Sequence, residues 1–280
     1  MYVTLATEPA RPDRPNEDFV ATTLDTLVML DGVGTAGTES GCIHGTPWFV
    51  QQLGTTLLAM LTAQPGADLA GVLEEAIIAV RSRHGDTCDV DHPGTPSSTV
   101  ILLQEHADQV HYLVLADSVL LLDTTDGLQV ITDDREATFA ARVRGDLDAT
   151  TNGTPEHEAA LAGFMTRIQA YRNRPNGFWV AAATPEAARQ AITGTVPAAS
   201  VRRAAVLTDG ATRLVDRFEL LDWPDLLDIL DTAGPVELIR RTREAEASDP
   251  HGRRWKRGKA TDDATAAYCT AFARTPALLH

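Results

Sequence analysis

Short β-rich runs, gathered in clusters and separated by a pair of amphipathic helices, constrain the fold of this chain more than any other feature of its sequence. The first two runs cover residues 18–23 and 26–31, and four more follow at close spacing within 98–132. Between these clusters, residues 45–63 and 68–84 carry apolar side chains at helical spacing. Strand clusters separated by helix pairs are typical of a layered α+β fold, not of a doubly wound parallel sheet.

The order of the runs predicts how the strands connect. We expect a hairpin from the first two runs and an antiparallel meander from the four that follow. Further along, the sequence predicts a strand over 177–183, a short helix over 186–192 and a final strand over 265–272. The chain has 280 residues without an internal repeat or a low-complexity linker, so we expect a single domain over residues 1–280.

The acidic balance of the chain excludes several classes of partner. Asp and Glu outnumber Lys and Arg by 39 to 24, which gives a formal net charge of -15. This argues against a general nucleic-acid binder and against binding to an anionic membrane surface. The sequence has no apolar run of about 18 residues and no signal-peptide pattern at its start. We therefore expect a cytoplasmic protein that acts without nucleic acid or membrane.

The positions of the cysteines and histidines in the sequence do not predict a metal site built from these residues. The three cysteines of the sequence are Cys42, Cys88 and Cys269. They form an odd set without a CxxC pair, which argues against a disulfide framework and a thiolate zinc site. None of His44, His84 and His92 has another histidine four residues away that would make a metal pair. Idle free thiols and structural or surface histidines are the expectation.

Carboxylates at the edges of apolar runs are the candidate functional groups. The clusters are Asn16-Glu17-Asp18, Asp31-Gly32, Asp209-Gly210 and Asp262-Asp263. Carboxylates at strand ends can converge on one spot, and oxygen-only clusters select hard divalent cations such as Mg²⁺ or Mn²⁺. Taken singly, each cluster also fits a strand end, a helix N-cap or a turn. Together they make a metal-dependent hydrolase the leading hypothesis.

The dipeptide Asp-Gly occurs three times, and its context differs each time. Asp126-Gly127 lies between two β-rich runs, which predicts a plain hairpin turn. Asp31-Gly32 instead ends an apolar run and opens a glycine-rich loop, Val33-Gly-Thr-Ala-Gly37. Such a loop lets the backbone approach a ligand closely, and a glycine carbonyl there could bind a metal.

Taken in order, these residues resemble the metal-dependent protein phosphatases (PPM, type 2C Ser/Thr phosphatases), as a divergent bacterial-type member. The motifs are Asn16-Glu17-Asp18, Leu30-Asp31-Gly32-Val33-Gly34, Gly94-Thr95-Pro-Ser-Ser-Thr99-Val100, Leu115-Ala116-Asp117-Ser118, Val206-Leu-Thr-Asp209-Gly210 and Asp262-Asp263-Ala264-Thr265. Six motifs in family order are far more specific than any one of them. The resemblance implies a four-layer α-β-β-α sandwich, with two antiparallel sheets face to face and flanking helices.

The resemblance also implies a binuclear metal site. Asp31 would bridge two Mn²⁺ or Mg²⁺ ions, and the carbonyl of Gly32 would bind one of them. Asp209 and Asp262 would complete the shell of the other ion. The implied activity is hydrolysis of Ser/Thr phosphomonoesters in a phosphorylated protein substrate, by a water that bridges the two ions.

Outer positions of the site follow from the same resemblance. Glu17 and Asp18 would hold metal-bound waters, and Asp117 would bind a third, weaker ion. The family commonly places an arginine four residues before the motif's Glu, whereas this sequence has Asp13 there. Arg14 is our candidate for gripping the substrate phosphate through its guanidinium.

Departures from the family pattern keep a second function open. Val33 stands where relatives have Met or His, and Val119 stands where they have Arg. The alternative is a catalytically weak or inactive phosphatase fold that serves as a binding or regulatory module. A basic cluster, residues 253–259, precedes Asp262; it could guide an acidic phosphoprotein to the site, or be a solvated loop.

Overall fold

Two antiparallel five-stranded sheets form the centre of the protein in a computed structural model, which describes residues 1–34 and 39–273. The strands, in chain order, are β1 (Tyr2–Glu8), β2 (Phe19–Thr22), β3 (Thr26–Leu30), β4 (Gly32–Val33), β5 (Ser97–Ser98), β6 (Val100–His106), β7 (Gln109–Leu115), β8 (Val119–Thr124), β9 (Gly127–Ile131), β10 (Ile192–Pro197), β11 (Val201–Leu207) and β12 (Ala264–Thr270). The first sheet has the spatial order β10-β7-β6-β3-β2, and the second β1-β12-β11-β8-β9. The short strands β4 and β5 pair with each other. Residues 35–38 of the predicted glycine-rich loop lie outside the described ranges.

Eight α-helices accompany the sheets within the described residues. They are α1 (Gly45–Ala63), α2 (Leu69–Arg83), α3 (Arg135–Val143), α4 (Gly145–Asp148), α5 (Pro155–Gln169), α6 (Asp209–Asp216), α7 (Trp223–Thr232) and α8 (Pro235–Ser248). Asp68 begins α2 by accepting a hydrogen bond from the backbone N–H of Gly71 at 3.1 Å. Asp222 and Asp225 form a reciprocal capping box at the start of α7, which satisfies backbone donors that the helix leaves unpaired.

Alternating side chains along the strands build four layers. Leu27 and Met29 of β3 belong to the core between the sheets, which also contains Val206 of β11. Their neighbours Val28 and Leu30 point the other way, as strand geometry requires, and belong to the core beneath α1 and α2. A third cluster joins the outer face of the second sheet to α6, α7 and α8. The predicted four-layer α-β-β-α sandwich is confirmed.

The chain changes sheets between β7 and β8, which corrects the predicted meander. β6 pairs with β7 in the first sheet, whereas β8 pairs with β9 in the second. The crossing passes through Ala116, Asp117 and Ser118, and Ala116 adopts a positive φ of 69°. A strand alternates in the same way whichever sheet it joins, so the sequence pattern could not reveal the crossing. Its consequence is that Asp117 lies at the boundary of the two sheets.

Two other predicted elements also differ. Residues 177–183 form no strand, because they make only the isolated bridges Ser98 to Ala181 and Arg172 to Phe178. The short helix predicted over 186–192 ends at Gln190. Ile192 is instead the first residue of the edge strand β10. The hairpin of β2 and β3 is confirmed, as is the turn at Asp126-Gly127. Within the described ranges, no helix has the length and apolar character to cross a membrane.

Candidate metal centre

Strand ends from both sheets meet around one cavity. Asp31 follows β3, Asp209 follows β11, and Asp262 lies two residues before β12. Because β11 and β12 are antiparallel neighbours, the end of one lies beside the start of the other. Asp117 lies at the crossing between the sheets. The structure therefore brings these four carboxylates together with Gly32 in the lining of a single cavity.

Asp31 is held by contacts from both sheets. Its backbone N–H donates to Oγ1 of Thr99 at 3.1 Å, and its Oδ2 accepts from the backbone N–H of Asp209 at 3.3 Å. Burial raises the pKa of Asp31 well above its usual range, and the negative charges of Asp18 and Asp209 raise it further. Ionisation of this carboxyl is therefore costly unless a cation compensates its charge.

The two carboxylate oxygens of Asp18 differ in their hydrogen bonds to the described residues. Its Oδ2 accepts hydrogen bonds from the hydroxyls of Thr265 at 2.6 Å and Thr208 at 3.0 Å. Thr265 lies in β12 of the second sheet, and Thr208 directly follows β11. Oδ1 of Asp18 is buried and has no hydrogen-bond partner among the described residues. Burial raises the pKa of Asp18 to about 8, and the negative charge of Asp263 contributes. A cation or a metal-bound water would satisfy the unpaired oxygen.

Two glycines let the segment after Asp31 pack against Glu17. A Cβ atom on Gly32 would collide with the carbonyl oxygen of Glu17, and one on Gly34 would lie 2.6 Å from its Oε2. Gly32 therefore needs to be glycine, because its Cβ would meet backbone, whereas the end of the Glu17 side chain near Gly34 could move aside. Burial raises the pKa of Glu17, whereas the positive charge of Lys259 lowers it. Among the described residues, Glu17 is not part of the cavity lining, although the carboxylates of Asp262 and Asp263 contribute to the rise of its pKa.

The neighbours Asp262 and Asp263 have different surroundings. Asp263 binds backbone: its Oδ2 accepts from the N–H of Glu17 at 2.7 Å, and its Oδ1 accepts from the N–H of Ala10 at 2.6 Å. It thereby ties the segment before β2 to the start of β12. Asp262 instead lines the cavity.

Two basic side chains pair with Asp262. Nζ of Lys259 donates to its Oδ1 at 2.7 Å, and Nη2 of Arg213 donates to its Oδ2 at 3.0 Å. Burial opposes ionisation of Asp262, but these two cations hold its pKa below the usual range. Arg213 is also anchored by Glu246 at 2.6 Å. Lys259 is 45% exposed, so it is the more easily displaced of the two.

The donor set fits hard divalent cations. All of the donors are oxygens, most of the carboxyls have raised pKa values, and Asp18 carries an unpaired oxygen. Within residues 1–34 and 39–273, the carboxylates do not form a compact group of three with all ligand oxygens within 4.8 Å. Two ligands on one octahedral ion, with bonds of about 2.1 Å, lie at most about 4.2 Å apart, so these side chains would have to close in on an ion or reach it through waters.

Solved structures identify the architecture around this cavity. No protein-family model matches the sequence, and a search of curated proteins gives no match. The chain is similar to the catalytic domain of the serine/threonine protein phosphatase PstP in complex with 2 manganese ions, at 17% identity, covering 95% of this chain and 96% of that one with a TM-score of 0.56. It is also similar to the PPM Ser-Thr phosphatase MsPP from Mycobacterium smegmatis (17% identity, 96% and 98% covered, TM-score 0.56) and to Stp1 from Staphylococcus aureus (13% identity, 96% and 94% covered, TM-score 0.57).

The protein has the PPM-type Ser/Thr phosphatase fold. The expected resemblance is confirmed at this level, since each match spans nearly the whole of both chains.

In this PPM-type fold, two carboxylates that line the cavity escaped the sequence analysis, Glu136 and Asp216. Glu136 of α3 lines the same cavity as Asp117 and Asp209. Burial raises the pKa of Glu136 well above its usual range, and the negative charges of these two residues add to the effect. Burial likewise raises the pKa of Asp117, to about 7. A single Glu in a helix belongs to no motif, so the sequence offered no specific signal for it.

The arginine predicted to grip phosphate lies outside the cavity of this PPM-type fold. Arg14 is exposed on the segment before β2, where its charge lowers the pKa of Glu17 against the effect of burial. The basic residues that do line the cavity are Arg144, Arg213, Arg217, Arg257 and Lys259. Among these, Arg217 is exposed, and its positive charge lowers the pKa values of Asp117 and Asp216 against the stronger effect of burial. Arg217 is thus a second candidate that sequence reasoning missed.

The basic cluster 253–259 divides between structural and cavity roles. Arg257 is 3% exposed and pairs with Asp249 at 3.1 Å. Lys259 reaches the carboxylates through Asp262. The cluster is therefore not simply a solvated loop, because its C-terminal part forms one wall of the cavity.

Proposed function

We propose that the protein is a metal-dependent phosphoprotein phosphatase that hydrolyses Ser/Thr phosphomonoesters. The observation that carries this proposal is the convergence of Asp31, Asp209 and Asp262, from three distant parts of the sequence, on one cavity. The PPM-type fold supports it, because solved structures with this fold include a protein phosphatase with two manganese ions.

The carboxylates of Asp31, Asp209 and Asp262 and the carbonyl of Gly32 would hold two Mn²⁺ or Mg²⁺ ions, with Asp117 at a third. When bound, such ions lower the pKa of a shared water and neutralise phosphoryl oxygens. The remaining chemistry falls to the chain itself. Asp18 presents a buried oxygen without a hydrogen-bond partner in the part of the chain that the structure describes, and this oxygen would accept a hydrogen bond from a water and fix its orientation.

Substrate phosphate would be held by a guanidinium. Arg217 lines the cavity, whereas Arg14 is exposed outside it, so we propose Arg217 as the primary ligand. A bidentate guanidinium suits phosphate geometry. Arg217→Ala should raise KM for an aryl phosphate with a smaller effect on kcat, and Arg14→Ala should have little effect. The reverse pattern would assign the role to Arg14.

Hydrolysis assays with Mn²⁺ test the proposed function. The protein should hydrolyse an aryl phosphate and phosphoserine or phosphothreonine peptides, and a chelator should abolish the activity. Asp209→Asn should lower kcat/KM by about 10²-fold or more, because it removes one negative ligand. Asp126→Asn is the matched control. It makes the same change in another Asp-Gly dipeptide, which lies in an exposed hairpin turn.

Calorimetric titration with Mn²⁺ separates this function from its alternative. Tight Mn²⁺ binding without hydrolysis of any phosphopeptide would leave an inactive binding module. Absence of both hydrolysis and Mn²⁺ binding would overturn the metal centre itself.

A further inference from the structure

A second cluster of metal-binding groups lies apart from the carboxylate cavity. It consists of Cys42, His44, His84 and Cys88, none of which lines that cavity. One ligand atom from each of the four lies within 4.8 Å of the other three. We propose that these residues bind a structural zinc ion in a closed Cys₂His₂ site.

The distances within the cluster match those around a tetrahedral zinc ion. Sγ of Cys88 lies 3.4 Å from Sγ of Cys42 and 3.3 Å from Nδ1 of His44. Sγ of Cys42 lies 3.5 Å from Nδ1 of His84 and 3.7 Å from Nδ1 of His44. Zn–S bonds of about 2.3 Å and Zn–N bonds of about 2.0 Å place tetrahedral ligands about 3.3–3.8 Å apart. Four of the six distances between the ligand atoms therefore match one coordination shell, and all six lie within 4.8 Å.

The donor types select zinc over the ions of the carboxylate centre. Two thiolates and two imidazoles are a soft and borderline set, whereas Mg²⁺ and Mn²⁺ prefer oxygen. Four protein ligands complete a tetrahedral shell, which is typical of structural zinc rather than catalytic zinc. On binding, the two thiols lose their protons, so two thiolates balance the charge of the ion.

Surrounding groups hold the ligands in orientation. The ring of His44 stacks on Trp48 at 4.2 Å with an interplanar angle of 21°, and the ring of His84 meets the same indole edge-on at 4.8 Å. His84 is 4% exposed. The backbone N–H of His44 donates to Sγ of Cys42 at 3.4 Å, which stabilises negative charge on that sulfur. Such contacts around the ligands are what a metal site needs to be preformed.

The chain around the ligands is built for tight turns. Gly41 and Gly45 flank the first ligand pair with φ of 66° and 78°, and Gly85 follows His84 with φ of 57°. Glycine adopts these values without the strain of a side chain. The backbone N–H of Asp89 donates to the carbonyl of Gly41 at 2.8 Å, so the two ligand segments are also joined through their backbones. An ion here would tie the start of α1 to the end of α2.

The sequence-based argument against a thiolate zinc site did not anticipate this cluster. That argument looked for CxxC pairs and for histidines paired with each other. The structure instead brings together two mixed pairs. Cys42 and His44 precede α1, and His84 and Cys88 follow α2. Because the two Cys-His pairs are 40 residues apart in the sequence, they do not form one recognisable zinc-binding motif.

Metal analysis of the purified protein tests the inference. Without added metal, elemental analysis should find about one zinc per chain. Cys42→Ser and Cys88→Ser should each lower zinc content at least about tenfold. Cys269→Ala is the matched control, because Cys269 is a free cysteine buried in the core between the sheets. Asp31→Asn should also retain zinc, which separates this site from the carboxylate centre.

Cobalt substitution of the unmodified protein keeps the test valid if a variant fails to fold. Co²⁺ at this site should give the intense visible bands of a tetrahedral ion and a sulfur-to-metal charge-transfer band in the near ultraviolet. The carboxylate centre has no sulfur ligand and would give neither. Absence of both zinc and the charge-transfer band would overturn the proposal, as would a mass showing Cys42 and Cys88 joined in a disulfide.

Discussion

The backbone N–H of Asp209 donates to Oδ2 of Asp31 at 3.3 Å, across 178 positions of sequence. Asp31 follows a strand of the first sheet, and Asp209 follows a strand of the second. One backbone donor offsets only a small part of the cost of a buried charge. The carboxylates around this contact therefore make the stability of the metal-free protein sensitive to pH.

Metal-free protein should lose stability as pH rises from about 5 to about 8. Asp18 and Asp117 have pKa values of about 8 and about 7 in the folded protein, whereas an unfolded Asp has a pKa of about 3.9. Over this interval the folded state binds more protons than the unfolded state, so the free energy of unfolding falls with rising pH. Thermal unfolding in the presence of a chelator, at several pH values, measures this pH dependence of stability. Asp18→Asn should flatten the dependence, and Asp126→Asn should not.

Mn²⁺ should reverse this loss. A cation that binds the ionised carboxylates stabilises the folded state, and it competes with fewer protons at high pH. The rise in Tm on adding Mn²⁺ should therefore be larger at pH 8 than at pH 6. An equal rise at both values would contradict the assignment of these carboxylates as the binding groups.

Lys259→Met should tighten Mn²⁺ binding. Nζ of Lys259 pairs with Oδ1 of Asp262 at 2.7 Å, so a metal that binds this carboxylate must displace the ammonium or bind beside it. Removing the like charge should lower the Kd for Mn²⁺ by about threefold to tenfold, measured by calorimetry. Lys256→Met is the control, since Lys256 is exposed and donates to a backbone carbonyl instead. Weaker Mn²⁺ binding in Lys259→Met would show that the ammonium supports the site.

Asp263→Ala should loosen the segment before β2. Its carboxylate accepts from the backbone N–H groups of Ala10 and Glu17 at 2.6 and 2.7 Å, and its loss should cost about 2 kcal/mol of unfolding free energy. Hydrogen exchange should show lost protection in residues 9–18. Asp222→Ala removes a comparable carboxylate from the cap of α7 and should leave that segment protected. Unchanged exchange in Asp263→Ala would refute its positioning role.

Gly32→Ala should impair the metal centre without removing a carboxylate. The new Cβ would collide with the carbonyl oxygen of Glu17, which forces backbone apart at the proposed ligand and should cost about 1–3 kcal/mol. We expect weaker Mn²⁺ binding by calorimetry. Gly145→Ala is the control, because a Cβ there meets nothing within 4 Å. Equal Mn²⁺ affinities for the two variants would argue against Gly32 as a close-packed ligand position.

The sequence was most informative where function fixes residue types locally. Asp31-Gly32 and Asp209-Gly210 could be distinguished from Asp126-Gly127 because apolar runs end in the first two. Glu136 could not be found in this way, since it joins the cavity through the placement of α3 alone. Pairing between layers is likewise decided by packing, so the crossing at Asp117 was missed.

The core between the sheets has a consequence for ion preference. Asp18 and Asp31 adjoin the first sheet, whereas Asp209 and Asp262 adjoin the second. Packed sheets lie about 10 Å apart, a distance set by the side chains between them. The volume of residues such as Met29 and Val206 therefore sets how far apart the two halves of the proposed metal site lie. A change of core volume alone, with every carboxylate unchanged, should therefore change which divalent ion the proposed site prefers.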